Sequence, residues 1–167
     1  MSEHPILRVD DILKTLLDGQ VRFVLIGGLA SQVHGSPSLT GDVDICFALD
    51  RDNLHRLSGA LASMGAIRRD FEGGTQASID HRALRAGDVF TLSTRFGDLD
   101  LLAHPDPELD FEILQGRSIA AEIFGMEVRV ASLADLIDMK RAAGRPKDRI
   151  ELEILGALRE ELDRRDG

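Results

Sequence analysis

The sequence predicts an α+β domain, a mixed β-sheet flanked by helices with a helical C-terminal segment. Three observations predict it. Short β-branched apolar runs alternate with helically spaced apolar residues in the first half of the chain. Strand-like runs then recur between residues 88 and 130, and from residue 133 onward only helical spacing is found. With no repeat and no low-complexity linker, residues 1–167 read as a single domain, its core over about 20–131 and its C-terminal helices over about 132–164.

Taken in order, Val9, Ile12, Leu13, Leu16 and Leu17 predict a helix over 8–18. The run Val21-Arg22-Phe23-Val24-Leu25-Ile26 is short and apolar and stops at two glycines, the mark of a buried strand. A short helix from about Leu29 to His34 follows, closed by Gly35 with Pro37 beyond. Val43–Leu49 is the next strand. Residues 51–64 place Leu54, Leu57, Leu61 and Met64 on one helix face. Further strands are expected at Asp88–Arg95, Leu99–Ala103, Ser118–Phe124 and Met126–Val130, the last two joined by a tight turn at Gly125. Helices over Leu133–Ala143 and Lys147–Arg164 flank Gly144-Arg145-Pro146. The polar, glycine-containing stretch Glu72–Arg85 is expected to form a mobile edge over the site.

Composition limits the function. Hydrophobic residues at 43% and charged residues at 29% make an ordinary globular balance, and no apolar run is long enough to cross a membrane. Met1-Ser2-Glu3-His4-Pro5 carries acid where a secretory leader carries base, so a cytoplasmic protein is expected. The one cysteine, Cys46, excludes an intrachain disulfide and a cysteine metal cluster; it reads as a buried small apolar residue. A net charge of −9, from 20 basic and 29 acidic residues, argues against a general nucleic-acid binder, because such binding draws on clustered cations.

The chemistry centres on Asp42 and Asp44. Side chains alternate along a strand, so these carboxylates share a face while Val43 and Ile45 enter the core. Adjacent carboxylates repel unless a cation lies between them, and hard divalent cations take oxygen ligands. Asp-x-Asp alone is weak, since it recurs as Asp50-Arg51-Asp52 and Asp98-Leu99-Asp100. Gly27-Gly28 strengthens the first pair: it ends a strand and opens a helix, where free N–H groups attract phosphate and the missing Cβ permits close approach. His34 reads as a helix-end residue and not as a ligand.

Gly27-Gly28, thirteen residues, then Asp42-Val43-Asp44 resembles the signature of the DNA polymerase β-like nucleotidyltransferases. Ile26-Gly27-Gly28-Leu29-Ala30, His34-Gly35, Thr40 and Asp42-Val43-Asp44 are similar to small bacterial members related to the AbiEii-type toxins. Gly97-Asp98-Leu99-Asp100-Leu101-Leu102 resembles the strand that supplies a third carboxylate, and the segments Ser132–Lys140 and Gly144–Asp148 resemble the basic C-terminal part of the group. The likeness spans roughly residues 20–155.

The resemblance implies an enzyme that moves a nucleoside monophosphate from a nucleoside triphosphate, ATP among them, to an acceptor hydroxyl and releases pyrophosphate. Asp42, Asp44 and Asp100 would be catalytic and hold Mg²⁺ (or Mn²⁺), with Asp98 the alternative third carboxylate. Gly27, Gly28, Ser31, Thr40, Lys140 and Lys147 would bind the nucleotide. The acceptor would be a tRNA, a protein or a small molecule, and a cognate antitoxin would be a further partner; no membrane is involved. One departure stands out: Ser38-Leu39-Thr40 replaces the group's Arg-x-Thr, which leaves a phosphate contact to another residue or missing. A degenerate nucleotide- or partner-binding module is the alternative. A hydrolase is disfavoured because the five histidines are scattered.

Overall fold

The computed structural model describes residues 5–70 and 79–167. Among these, seven strands form one mixed sheet with seven helices around it. In chain order the elements are α1 (Val9–Asp18), β1 (Phe23–Ile26), α2 (Gly27–Val33), β2 (Asp42–Phe47), α3 (Arg51–Ser63), β3 (Ile67–Arg68), α4 (His81–Ala86), β4 (Val89–Thr94), β5 (Gly97–Leu102), α5 (Phe111–Arg117), β6 (Ile119–Ile123), β7 (Met126–Val130), α6 (Leu133–Ala143) and α7 (Asp148–Arg165). The sheet order is β3-β4-β5-β2-β1-β7-β6.

The three central strands carry the functional geometry. β1 and β2 run antiparallel, with Ile26 opposite Asp44, while β2 and β5 run parallel, with Asp42 opposite Asp98 and Asp44 opposite Asp100. Strand alternation then decides what is buried: Val43, Ile45, Leu99 and Leu101 are fully buried, and Asp42, Asp44, Asp98 and Asp100 lie on the opposite face. Side-chain caps start the helices. Asp50, Asp80, Asp110 and Ser132 each accept a hydrogen bond from a backbone N–H three residues on, satisfying a donor that the first helical turn leaves free.

Most predicted elements are present within a residue or two. The first strand begins at Phe23, and α2 begins at Gly27, two residues earlier than its apolar pattern indicates. Three elements were not predicted: β3, α4 and α5. β3 has two residues and α4 has six, too few for any period to register. Of the expected mobile edge, residues 72–78 lie outside the described residues. Its end, His81–Ala86, is helical, packs on α3 and contributes nothing to the cavity described below. Asp50, from one of the competing Asp-x-Asp pairs, caps α3 and pairs with Arg22 at 3.2 Å. No described helix is long and apolar enough to cross a membrane.

Asn53 is a buried polar residue of α3 that the sequence does not single out. Its side chain accepts from the Arg22 N–H at 2.7 Å and donates to the Arg22 and Ala48 carbonyls at 3.1 and 2.8 Å. It ties α3 to the approach to β1 and the exit of β2. Replacing Asn53 with Ala removes three hydrogen bonds to the backbone: the Arg22 carbonyl keeps the Ala48 N–H at 3.2 Å, while the Arg22 N–H and the Ala48 carbonyl lose this partner, a costly loss where the group stays buried. Asn53→Ala is expected to lower unfolding free energy by about 2–3 kcal/mol in urea denaturation, against at most about 0.5 kcal/mol for the exposed Asp52→Asn.

Candidate active site

Where β1 ends, the chain turns directly into α2, and the backbone at Gly27 faces the Asp44 side chain of the neighbouring strand. Gly27 has φ +71°, and a Cβ there would collide with Asp44 Oδ2. A Cβ on Gly28 would lie 2.8 Å from the Thr40 Cβ and Oγ1. Both glycines are therefore required by contact, and Gly27 by conformation as well. Thr40 Oγ1 donates toward the Asp42 carbonyl at 3.2 Å and lies 3.3 Å from Asp42 Oδ1.

The register of β2 and β5 brings Asp42, Asp44 and Asp100 together: one carboxylate oxygen from each lies within 4.8 Å of the others. Asp98 is not in that group. It takes a hydrogen bond from Ser93 Oγ at 3.2 Å and pairs with Arg69 at 3.3 Å. Among the described residues, neither Asp42 nor Asp44 has an ion-pair partner within 4 Å. Burial above all, then the charges of Asp42 and Asp100, push the Asp44 carboxyl up to about 8, with Lys140 pulling the other way. Burial also raises Asp100, opposed by Arg69 and reinforced by Asp42. Half-buried carboxylates this close are poor neighbours for one another and a good oxygen set for a hard divalent cation.

These residues line a cavity of about 450 Å³, an ordinary size for a small-ligand site. Gly27, Gly28, Ser31, Thr40, Lys140 and Lys147 also line it, so the structure brings every sequence-predicted site residue to one place. Ser31 is buried, and its hydroxyl donates to the Gly27 carbonyl at 3.2 Å, four residues back in its own helix. Lys140 Nζ reaches the buried Asp148 at 3.2 Å, and Arg145 grips the same carboxylate at 2.8 and 3.3 Å. Burial works against ionisation of Asp148, but the hydrogen bonds from Arg145 and Lys140 outweigh it and hold its carboxyl below the usual range. His34 sits at the end of α2 and contacts the Ala131 carbonyl at 2.8 Å, away from the carboxylates. Cys46 is fully buried, its thiol pushed up to about 12 chiefly by burial, and is no ligand.

Glu151, Arg145 and Arg69 are among the residues in or beside the site that were not assigned to it from the sequence. Glu151 takes hydrogen bonds from Ser36 Oγ at 3.0 Å and Ser38 Oγ at 2.5 Å, so Ser38 fastens its loop to α7. Arg145 lines the cavity, and Arg69 pairs with Asp100 at 2.7 Å. Arg145 stands beside two predicted lysines, which was a usable signal; nothing local marks Arg69 or Glu151.

Neither a protein-family profile nor a curated protein sequence matches this chain. Its fold is that of solved nucleotidyltransferases. It is similar to the lincosamide antibiotic adenylyltransferase LnuA, solved with lincomycin bound, at 14% identity over 91% of this chain and 98% of that one, TM-score 0.60. It is similar to ANT(2″)-Ia in complex with adenylyl-2″-tobramycin, at 19% identity over 95% and 97%, TM-score 0.55. It also resembles an antigenic nucleotidyltransferase-like protein from Paracoccidioides brasiliensis, at 18% identity over 91% and 77%, TM-score 0.53. These likenesses do not extend to the AbiEii-type relationship that the sequence resemblance implies.

Two outcomes follow from the crowding of the cluster. Gly27→Ala puts a methyl group against Asp44 at a φ that L-residues resist, so it should cost about 1–3 kcal/mol by thermal or chemical unfolding. The Asp44 effect has a definite sign. Its folded pKa lies above its unfolded one, so the native state holds a proton the unfolded chain releases between about pH 4 and 8, and stability falls as pH rises through that window. In metal-free buffer at pH 8.5, Asp44→Asn should melt at least about 3 °C above wild type, the displacement about 1 kcal/mol gives a chain of this size. At pH 5 the gap should close, and parallel melting curves at both pH values would contradict the assignment.

Proposed function

We propose that the protein is a divalent-cation-dependent nucleotidyltransferase that moves the nucleoside monophosphate of a triphosphate, ATP being the first to test, to a hydroxyl of a small molecule. The observation that carries it is the convergence of Asp42, Asp44 and Asp100 within 4.8 Å, in a cavity also lined by Gly27, Gly28 and Lys140. Asp42, Asp44 and Asp100 would hold Mg²⁺. When bound, Mg²⁺ supplies charge that draws the phosphate oxygens in and offsets the charge that develops on them.

The chain's own groups account for the rest. The Gly27-Gly28 backbone lines the cavity where α2 begins and the first N–H groups of a helix are free to meet a phosphate, and Ser31 and Thr40 line the same cavity. Lys140, Lys147 and Arg145 lie toward the cavity from the C-terminal helices and their link, placed to neutralise the departing pyrophosphate. Arg145 also answers the departure at Ser38: the guanidinium absent from the Ser38-Leu39-Thr40 loop is supplied from the other wall. In the reaction, the acceptor oxygen bonds to the α-phosphorus as the bond to the β-phosphate bridging oxygen breaks. Pyrophosphate leaves, and Asp100 takes the hydroxyl proton. Holding the reactants in one cavity contributes through proximity and orientation.

A small-molecule acceptor is favoured over tRNA because the chain is acidic, at −9, and the cavity is of small-ligand size. LnuA and ANT(2″)-Ia act on or bind antibiotics, which lends the same reading weight. This reading needs no antitoxin partner. Its one cysteine, free and buried, suits the cytoplasm.

The test is thermal shift with each of the four ribonucleoside triphosphates, with and without Mg²⁺, followed by transfer of α-labelled nucleotide to a panel of hydroxylated small molecules. At 100 times its Kd a ligand adds about 2.7 kcal/mol, which in a chain of this size is about 5–10 °C. A shift of that order is expected for at least one triphosphate with Mg²⁺, and it should be absent in Asp42→Asn. No shift with any triphosphate in the presence of Mg²⁺ would refute the proposal. Binding without transfer to any acceptor would favour a nucleotide-binding module.

A further inference from the structure

Each member of the carboxylate cluster has a different restraint. Asp44 lies against the Gly27 backbone, and Asp42 lies beside the Thr40 hydroxyl. Asp100 has Arg69. This arginine directly follows β3, and its backbone N–H donates to the Thr91 carbonyl at 2.9 Å. Its Nη1 donates to the Leu92 carbonyl at 2.8 Å and lies 3.3 Å from Asp98 Oδ2, while Nη2 reaches Asp100 Oδ1 at 2.7 Å. The planar guanidinium therefore spans two carboxylates on one face of β5 while anchored to β4.

Exposed ion pairs contribute little, because two long side chains must be ordered for a screened attraction. This pair differs in both respects. The Asp100 side chain is 17% exposed and Arg69 27%, and the Leu92 carbonyl already fixes the guanidinium plane. Fastening β3 to the sheet would need only the Thr91, Leu92 and Asp98 contacts. The bond to Asp100 adds nothing to that task and acts on the carboxylate that faces Asp42 and Asp44.

We infer that Arg69 is a positioning residue for the cation–nucleotide site: its fork holds Asp100 by Oδ1 in the orientation that keeps the carboxylate within reach of Asp42 and Asp44. The inference rests on the reading of these three as cation ligands. A lysine keeps the charge but not the planar two-pronged geometry, so it does not substitute. Groups that orient a metal-binding side chain typically matter by 10–100-fold in metal affinity.

The experiment measures Mn²⁺ binding by the electron paramagnetic resonance signal of the free ion, with and without ATP. The proteins are wild type, Arg69→Ala, Arg69→Lys, Asp98→Asn and Asp44→Asn, each with its melting temperature. Both Arg69 variants are expected to bind Mn²⁺ about 10-fold or more weakly, while Asp98→Asn, which removes only the other prong, stays within about 2-fold of wild type. If Arg69→Ala does not fold, Arg69→Lys carries the test. Wild-type affinity in Arg69→Lys overturns the inference, because charge alone would then suffice. Equal or tighter binding in Arg69→Ala also overturns it, since Arg69 would then be a strand fastener or a competing cation. Those results leave the proposed function standing as long as Asp44→Asn loses Mn²⁺. If wild type and Asp44→Asn are alike in failing to bind Mn²⁺, the cation site fails, and both readings fall.

Discussion

Three carboxylates are forced together by strand register, and most of what is specific to this chain responds to that constraint. Asp44 stands opposite Asp100 because β2 and β5 pair in parallel, and Asp42 shares the face of Asp44 because strands alternate. No rotation of a side chain undoes this, since a one-residue slip would carry Val43 and Leu99 out of the core and the acids in. The hydrophobic core therefore holds the repulsion in place. Burial of Val43, Ile45, Leu99 and Leu101 on one face is what keeps a cluster of like charges on the other.

The responses to that charge come from distant parts of the sequence. Lys140 comes from α6, Arg145 and Lys147 from the link to α7, and Arg69 from the end of the edge strand β3. Asp148 organises the C-terminal group by taking Lys140 and Arg145 on a buried carboxylate. Glu151, one turn further along α7, fastens the loop that leads to Thr40. Thus α7 binds the basic wall with one acid and the loop before β2 with another. Fold and candidate site share these contacts, so the C-terminal helices belong to the site as much as the central strands do.

What the sequence made legible follows the reach of local signals. β2 could be read because Asp-Val-Asp-Ile alternates, and α6 because its apolar spacing runs from a Ser132 cap to a glycine. The cluster itself was legible as two segments, Asp42-Val43-Asp44 and Asp98-Leu99-Asp100, but the choice between Asp98 and Asp100 was not. Both lie on the same face of β5; Asp100 stands opposite Asp44 in the register, while Asp98 is taken up by Ser93 and Arg69. Asp148 looked like an ordinary first-turn acid; its burial comes from packing that no local pattern encodes. α5 carried a readable signal, Asp110 capping ahead of Phe111 and Leu114, but its seven residues ended before a period was established.

Serine stands at position 38, where the family that the sequence resembles has arginine, and it turns this loop toward α7. An arginine there would bring a cation to the phosphate side from the β2 approach. Serine instead gives its hydroxyl to Glu151, and Gln32 donates to the Ser38 carbonyl at 2.8 Å, so the loop is tied down at two points. Among the described residues, the cations that line the cavity come from α6 and its link to α7. In the proposed reaction that leaves the phosphate end framed by backbone on one side and by cations on the other. It also leaves Leu102, Pro105, Leu136 and Met139 as the apolar part of the same cavity. Under the proposed function, such a surface suits a compact acceptor better than a polyanionic RNA. In that proposal the cavity wall, and no motif in the sequence, is what selects the acceptor.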